Sequence, residues 1–451
     1  MKLSIREIAD AANGVFSGSK AILDTYVTAI VKDNREAIPG CVFSAIIGEN
    51  NDGHKYIEAA VENGAICALV SRNIDCGLPQ ILVPDTVEAL GKIAEYYRGK
   101  FDIPIIGVTG SVGKTTAKEM LSCVLSQKFS LHKTFGNLNN NIGTPLTIFG
   151  LSERHEVAVI EMGISHFGEM AQLGKMVRPQ MAYFSSIGHA HLEFLGDLDG
   201  VFRAKTEMME FMPDDGIVFI NGDDETMKKL SGRQKIVRFG LSKDCDVTAE
   251  NIKILGDEGM SLTITGSGRR IETRIFSFGL HLISAALGAT AVGLHMGLSD
   301  EEIANGIAEY APVGGRSALE KTDKITIIND CYNANPTSAA SALSSLAILP
   351  GRRIAILGDM MELGESVEKR LHRETGEHAA KCGIDLLITT GALSKEASKG
   401  AIASGLKTIH FENKDSLIAA LPTLITTGDS ILVKASNSRK FVDIVESLHN
   451  L

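Results

Sequence analysis

The sequence has no tryptophan, and aromatic residues make up only 5% of its 451 positions. Binding to single-stranded nucleic acid by stacking needs aromatic platforms, and any nucleic-acid binder needs a basic face. Here 55 acidic residues outweigh 45 Lys and Arg, for a net charge of −10. Nucleic acid is therefore not an expected partner. The seven cysteines (Cys41, Cys67, Cys76, Cys123, Cys245, Cys331 and Cys382) include no CxxC pair. That spacing offers neither a zinc site nor a disulfide framework. Scattered thiols suit a reducing compartment, and a cytoplasmic location is expected. Long hydrophobic runs are also missing. The most apolar stretch, residues 282–298, is rich in Ala and Gly and interrupted by His295. A membrane span needs about 20 apolar residues, so a buried helix and no membrane insertion are expected. Residues 1–14 carry early acids and no apolar centre, unlike a signal peptide.

What remains is an ordinary globular composition, 44% hydrophobic and 22% charged. The length suits about two to four domains. Short apolar runs alternate with helical patterns almost throughout, which points to an α/β fold in three domains. Residues 1–100 read as a smaller N-terminal α/β domain, with strands at 41–47, 65–70 and 80–83 and helices at 57–63 and 87–98. Residues 101–314 read as a central domain built on a parallel sheet, with strands at 105–108, 157–160, 181–185 and 217–220. Alternating patterns and Gly-rich turns in 247–278 indicate an antiparallel hairpin layer there. Residues 315–451 read as a Rossmann-like, doubly wound sheet, with strands at 325–328, 353–357, 386–389 and 431–433. Gly99 and Gly314-Gly315 are candidate hinges.

The strongest chemical signal is Gly107-Val108-Thr109-Gly110-Ser111-Val112-Gly113-Lys114-Thr115-Thr116. It follows an apolar strand and opens a helical stretch, the context a phosphate loop requires. Glycines let backbone N–H groups wrap phosphates, and the helix N-terminus adds positive partial charge. Thr109 to Thr116 are the expected ATP contacts. Lys114 would reach the β- and γ-phosphates, and the Thr115 hydroxyl would ligate Mg²⁺. A second acid is needed for that ion, and Glu161 ends the apolar run 157–160, where a parallel strand meets its ligand crevice. His189-Ala190-His191-Leu192-Glu193 follows another buried strand. On the motif alone, a polar loop with two histidines is the better explanation, since Mg²⁺ prefers oxygen ligands. Lys205, on the next helical stretch (200–211), reads on composition alone as a solvated lysine.

These segments resemble the Mur ligases, the ATP-dependent amide-bond ligases of peptidoglycan synthesis. The resemblance covers essentially the whole chain. It implies that Thr109 to Thr115 bind ATP, that Glu161 and His191 bind metal, and that Lys205 is carbamylated and bridges to a second Mg²⁺. Asn137-Leu138-Asn139-Asn140 with Ile142-Gly143 resembles the loop that orients phosphates and the muramoyl substrate, which places Asn139 on the nucleotide and Asn137 and Asn140 on the substrate. Arg316 matches the arginine that approaches the γ-phosphate, and Asp330 the aspartate on the ATP ribose. Asp330-Cys331-Tyr332-Asn333-Ala334-Asn335-Pro336 and Leu357-Gly358-Asp359-Met360-Met361-Glu362-Leu363-Gly364 resemble signatures of the family's D-alanyl-D-alanine-adding branch. They imply Tyr332 and Asn333 at the nucleotide, and Asn335 and Asp359 at the substrate. Asp33-Asn34-Arg35 and Asp52-Gly53-His54 resemble the uridine-nucleotide domain of the same branch. Three departures stand out. Leu282 and Ser284 occupy positions where the family often has adenine-contacting asparagines, Asn51 stands where an aromatic residue is common, and the family's Lys-Gly-Ser-Arg run reads Lys434-Ala435-Ser436-Asn437.

The resemblance implies a monomer that uses ATP and Mg²⁺ to join D-alanyl-D-alanine to UDP-N-acetylmuramoyl-tripeptide through an acyl phosphate. Lys114, His191, Lys205 and Arg316 would be its catalytic residues. Three other readings stay open on sequence: a sibling ligase with another amine donor, including the folate-acting relatives; a phosphate-loop kinase or nucleotide switch; and a non-catalytic nucleotide binder.

Overall fold

The computed structural model describes residues 1–256 and 258–451. Three sheets organise the chain. The first contains β1 (Val15–Ser17), β2 (Ile30–Val31), β3 (Val42–Ser44), β4 (Cys67–Val70) and β5 (Gln80–Leu82) in the order β1-β5-β4-β3-β2. All neighbours are parallel except β1, which runs antiparallel to β5. Every residue of β4 is buried, as a parallel strand covered on both faces requires. The helix Ile5–Ala12 opens with a capping box, in which Ser4 and Glu7 satisfy each other's backbone N–H.

The central sheet contains β6 (Ile105–Thr109), β7 (Leu131–Lys133), β8 (Val157–Glu161), β9 (Met181–Phe184), β10 (Ile217–Asn221), β11 (Lys235–Phe239), β12 (Val247–Ile254), β13 (Met260–Gly266) and β14 (Arg269–Ile275). Their order is β14-β13-β12-β11-β10-β9-β6-β8-β7. The six strands from β7 to β11 are parallel, and β12, β13 and β14 form the expected antiparallel layer. Because β6 lies between β8 and β9, the strand order reverses across its carboxyl end. A crevice opens at such a switch point.

The third sheet contains β15 (Ala318–Lys321), β16 (Thr326–Asn329), β17 (Arg353–Gly358), β18 (Leu386–Thr390), β19 (Thr408–Phe411) and β20 (Ser430–Lys434), in the order β15-β16-β20-β17-β18-β19. It is doubly wound and parallel apart from β15, which pairs antiparallel with β16. The sequence pattern does not announce β15, β7, β11 or β19. All are at best partly buried, so they lack the apolar run that marks the central strands. The helix expected over 200–211 divides into the α-helix Leu198–Thr206 and the 3₁₀ turn Glu207–Phe211. The apolar stretch near residue 282 forms the buried helix His281–His295. Among the described residues no helix is long and apolar enough to cross a membrane.

The first and central units share one hydrophobic core, which runs from Leu3 and Tyr97 to Ile148, Leu173 and Met208. The Tyr97 hydroxyl donates to the Leu151 carbonyl at 2.9 Å, and the buried Arg98 Nε donates to the Val177 carbonyl at 3.0 Å. The junction at Gly99 is thus packed. Gly314 and Gly315 differ: both have positive φ, 55° and 65°, which glycine adopts without strain.

On the opposite face of the central sheet, the phosphate-loop helix Lys114–Leu125 packs against the helices His281–His295 and Asp300–Ala308. Gly306 makes the second contact possible. A Cβ there would lie 2.4 Å from Val124 Cα and 2.8 Å from the Cys123 carbonyl oxygen. Neither backbone atom can swing away. Overpacking of this kind costs about 1–3 kcal/mol, and alanine recovers roughly 1 kcal/mol of helix propensity. Gly306→Ala is expected to lower the urea midpoint of unfolding, and an unchanged or raised midpoint would contradict this close approach.

Candidate active site

The phosphate loop follows β6 and is braced from behind by the segment after β9. The Ser111 N–H donates to the Ser186 carbonyl at 2.7 Å, and the Ser185 hydroxyl donates to the Val112 carbonyl at 2.6 Å. Gly110 is required by that brace, because its φ is 150° and a Cβ would lie 2.0 Å from Ser185 Oγ. Gly113 (φ 81°) turns the chain into the helix Lys114–Leu125, whose start has no side-chain cap. Its first N–H groups therefore point outward as donors for an anion. Lys114 Nζ donates to the Gly110 carbonyl at 2.9 Å. Burial, with help from Arg316, draws its ammonium below the ordinary value, while Glu161 opposes the shift.

Glu161 ends β8 with 1% of its surface exposed. Its carboxylate accepts from the Thr115 hydroxyl at 3.0 and 3.1 Å and from Asn139 Nδ2 at 2.7 Å. Lys118 Nζ lies 3.9 Å away and donates to the Thr134 carbonyl and to Glu119, each at 2.8 Å. The sequence reading passed over Lys118, since its fully buried position depends on β7 and β8. Asn140 accepts the N–H groups of Ile142 and Gly143 at 3.2 and 2.9 Å, so it starts the helix Gly143–Phe149.

A cleft of about 370 Å³ lies between the central and third units. It brings together Ser111, Val112, Gly113, Lys114, Thr116, Asn137, Asn139, Asn140, Glu161 and His191 on one side, and Arg316, Asp330, Tyr332, Asn333 and Asn335 on the other. Thr109 and Thr115 are buried directly behind the loop. The Arg316 guanidinium stacks 3.6 Å from the Tyr332 ring centroid. Asp330 accepts from the Ser317 N–H at 3.0 Å and from Lys434 Nζ at 2.5 Å. Asn335 caps the helix Pro336–Ala347 and accepts from the Ser338 N–H at 2.8 Å. Lys434 and His281 also line the cleft; the sequence reading quoted Lys434 only within an altered family run and gave neither residue a site role. Lys434 is held by Asp330 from 104 positions away, a pairing that no local motif reveals. His281 opens the helix that carries Leu282 and Ser284. Burial draws its imidazole down, while Asp330 opposes the shift.

The other anticipated residues lie outside the cleft lining. Asp33 pairs with Arg35 at 2.6 Å, and the Asn34 carbonyl accepts from Asn63 Nδ2 at 2.9 Å. Asp52 and His54 meet at 2.7 Å across Gly53, and His54 Nε2 accepts from the Ser71 N–H at 3.0 Å. Both His54 nitrogens are thus engaged within the first unit. A Cβ on Gly53 would lie 2.7 Å from the Ile46 backbone. Asp359 is buried, accepts the N–H groups of Leu393 and Ser394 at 3.0 and 2.7 Å, and pairs with Arg439 at 3.1 Å. Its carboxylate is occupied in holding the loop between β18 and the helix Ser394–Ala403.

Lys205 is not the solvated lysine that composition suggests. It is fully buried, and its Nζ has no hydrogen-bond partner. Among the described residues no three His, Cys, Asp or Glu side chains cluster as a ready-made metal cage. This suits Mg²⁺, which takes one or two carboxylates and completes its octahedron with phosphate oxygens and water. Thr115 Oγ1 and Glu161 supply oxygens beside the loop, and an orphaned buried amine at Lys205 is what a carbamate would turn into a further oxygen donor.

Burial, with the Lys114 charge adding, draws the Lys205 amine well below its ordinary value of 10.5. The unfolded chain therefore binds this proton more tightly than the folded one. Lys205 costs stability below 10.5, and the cost fades as pH rises through the window between the folded and unfolded values. In CO₂-free buffer, Lys205→Met is expected to unfold at an equal or higher denaturant concentration at pH 7 and to lose that pH dependence. A lower midpoint would mean that the ammonium has a partner in solution.

Residues 108–293 match the Mur ligase middle domain, and residues 315–437 match the Mur ligase glutamate ligase domain. The chain is 36% identical to the UDP-N-acetylmuramoyl-tripeptide–D-alanyl-D-alanine ligase of Escherichia coli (strain K12), over 99% of this chain and 98% of that one. It is 34% identical to the Bacillus subtilis (strain 168) enzyme of the same name, over the same shares. A crystal structure of MurF from Acinetobacter baumannii superposes with a TM-score of 0.91 at 30% identity and covers 99% of both chains. The MurF ligase of Thermotoga maritima in complex with ADP superposes with a TM-score of 0.82 at 26% identity, over 94% of this chain and 97% of that one. With both family domains matched in order and relatives this similar along nearly the whole length, the chain belongs to the Mur ligase family.

Proposed function

We propose that this protein joins D-alanyl-D-alanine to UDP-N-acetylmuramoyl-tripeptide, with ATP converted to ADP and phosphate. The single observation that carries the reading is the composition of the cleft. A phosphate loop with Lys114 and a buried Thr115–Glu161 pair faces Arg316, Asp330 and Tyr332 of a separate unit. A phosphoryl donor and a second reactant can thus be held from opposite sides.

In the first step a carboxylate oxygen of the tripeptide attacks the γ-phosphorus, the bond to the β-phosphate oxygen breaks, and ADP leaves. Lys114 and the free N–H groups of its helix neutralise charge on the transferring group. Arg316 is the cation placed to join them from across the cleft once it leaves Tyr332. Thr115, Glu161, His191 and a carbamylated Lys205 would hold Mg²⁺, which when bound would offset phosphate charge. In the second step the dipeptide amine attacks the acyl carbon, the amide forms, and phosphate departs. The acyl phosphate is open to hydrolysis, so closure of the third unit onto the central one has a chemical purpose. The first unit, with Asp33, Asn34, Arg35, Asp52, Gly53 and His54, would hold the uridine end. Asn137, Asn140 and Asn335 would shape the path from the muramoyl group to the dipeptide, with Asp359 acting only through the loop that it holds.

Phosphate release from MgATP is expected to require both UDP-N-acetylmuramoyl-tripeptide and D-alanyl-D-alanine, with a matching gain in product mass. Release that proceeds with a different amine would assign a sibling specificity, and release that ignores the amine would point to a kinase or a switch. Lys114→Ala is expected to lower kcat by about 10²–10³-fold, the scale of losing one transition-state donor. A carbamate resonance from ¹³C-bicarbonate, present in the wild type and missing in Lys205→Met, would support the modified lysine; its absence from the wild type would remove it.

A further inference from the structure

Two non-glycine residues on opposite sides of the cleft adopt the left-handed backbone conformation, and they meet. His191 of the central unit has φ 55°, and Glu362 of the third unit has φ 62°. His191 Nδ1 lies 2.5 Å from Glu362 Oε2. The same two loops touch again beside this contact. The Glu193 N–H donates to the Glu362 carbonyl at 3.3 Å; the His189 N–H reaches the third unit elsewhere, donating at 3.3 Å to Thr337 Oγ1 on the helix Pro336–Ala347. A left-handed residue aims its side chain differently from its neighbours in the chain. Here both loops spend that unusual geometry on turning one imidazole and one carboxylate toward each other.

We propose that Glu362 is a positioning residue for His191, supplied by the third unit only when that unit is seated on the central one. The reasoning is tautomeric. A neutral imidazole has one N–H, and a carboxylate at Nδ1 holds it there. The lone pair then sits on Nε2, the nitrogen left to face the cleft that His191 lines. Histidines that ligate metals commonly have their other ring nitrogen fixed in this way, and removal of the partner costs 10–100-fold in metal affinity. The cation site would therefore be complete only in the closed arrangement, which ties Mg²⁺ binding to docking of the unit that contributes Arg316. The bland alternative is a surface ion pair. Glu362 is half exposed, and such pairs contribute little to stability. That alternative predicts no effect on metal binding.

The inference rests on the reading of His191 as a metal ligand. The test uses the full chain with ADP and titrates Mn²⁺ by electron paramagnetic resonance, with metal-free ADP affinity and the unfolding midpoint as controls. Glu362→Ala is expected to weaken Mn²⁺ by about 10–100-fold while both controls hold. Glu362→Gln, whose amide oxygen can still accept from Nδ1–H, is expected to recover most of that loss. In a His191→Ala background, Glu362→Ala should change nothing further. If His191→Ala weakens Mn²⁺ but Glu362→Ala does not, the positioning role is overturned and the metal reading stands. If His191→Ala leaves Mn²⁺ unchanged, both fall.

Discussion

Burial of the Glu161 carboxylate is the constraint on which the rest of the centre depends. A charge withdrawn from water is costly unless hydrogen bonds and counter-charge surround it. Each group that meets this need comes from a different place. Thr115 and Lys118 lie on the first two turns of the phosphate-loop helix, and Asn139 lies on the loop after β7. Lys118 also donates to the Thr134 carbonyl, at the start of that loop. The Glu161 N–H donates to the Thr134 hydroxyl at 3.0 Å. One carboxylate thereby fixes the helix, the neighbouring strand and the asparagine loop relative to one another, and those three elements form the floor on which phosphates would rest.

Lys205 presents the opposite electrostatic situation. Glu161 has partners for its charge, whereas Lys205 has no hydrogen-bond partner; besides burial, Lys114 disfavours its ammonium and Glu169 favours it. Selection for stability alone would replace such a lysine with an apolar side chain. Its retention makes sense if the amine is the reactive form. A neutral amine adds to CO₂ where an ammonium does not, so the burial that penalises the charge also favours the modification. On that proposal Lys205 would become a second anionic donor beside Glu161; Glu161 favours the Lys114 ammonium, and Lys114 in turn disfavours that of Lys205.

Local chemistry was the readable part of the sequence. The phosphate loop, the acid that ends β8 and the turn before Pro336 each depend on a few adjacent residues whose conformational preferences act at short range. The longer fully buried strands were equally plain, because a parallel strand covered on both faces must be apolar along its length; the two-residue β2 was too short to show such a run. Partly exposed strands such as β7 and β15 carry no such mark. The missed site residues have one physical feature in common. Lys434 acquires its role from Asp330, Lys118 from Glu161, and Glu362 from His191, which is 171 positions away. A side chain defined by a distant partner looks like any surface charge until the fold brings the two together. Lys205 differs: the resemblance named it, but its full burial and lack of a hydrogen-bond partner could not be read from its neighbours in the chain.

The two junctions between units differ in what it would take to part them. Separating the first unit from the central one would strip the Tyr97 hydroxyl and the buried Arg98 guanidinium of carbonyl partners across the boundary. An unpaired buried guanidinium is among the costlier losses a fold can suffer. Separating the third unit would expose small or flexible apolar groups, among them Ala334, Ala339, Met360 and Leu363. It would also release polar contacts such as His191 with Glu362, whose partners already reach water. The covalent link at that second junction is Gly314-Gly315, which tolerates backbone rotation at little cost. Opening to admit substrates is therefore expected at the second junction, with the first two units moving as one body. Arg316, proposed to approach the γ-phosphate, is placed on the unit that is free to arrive last.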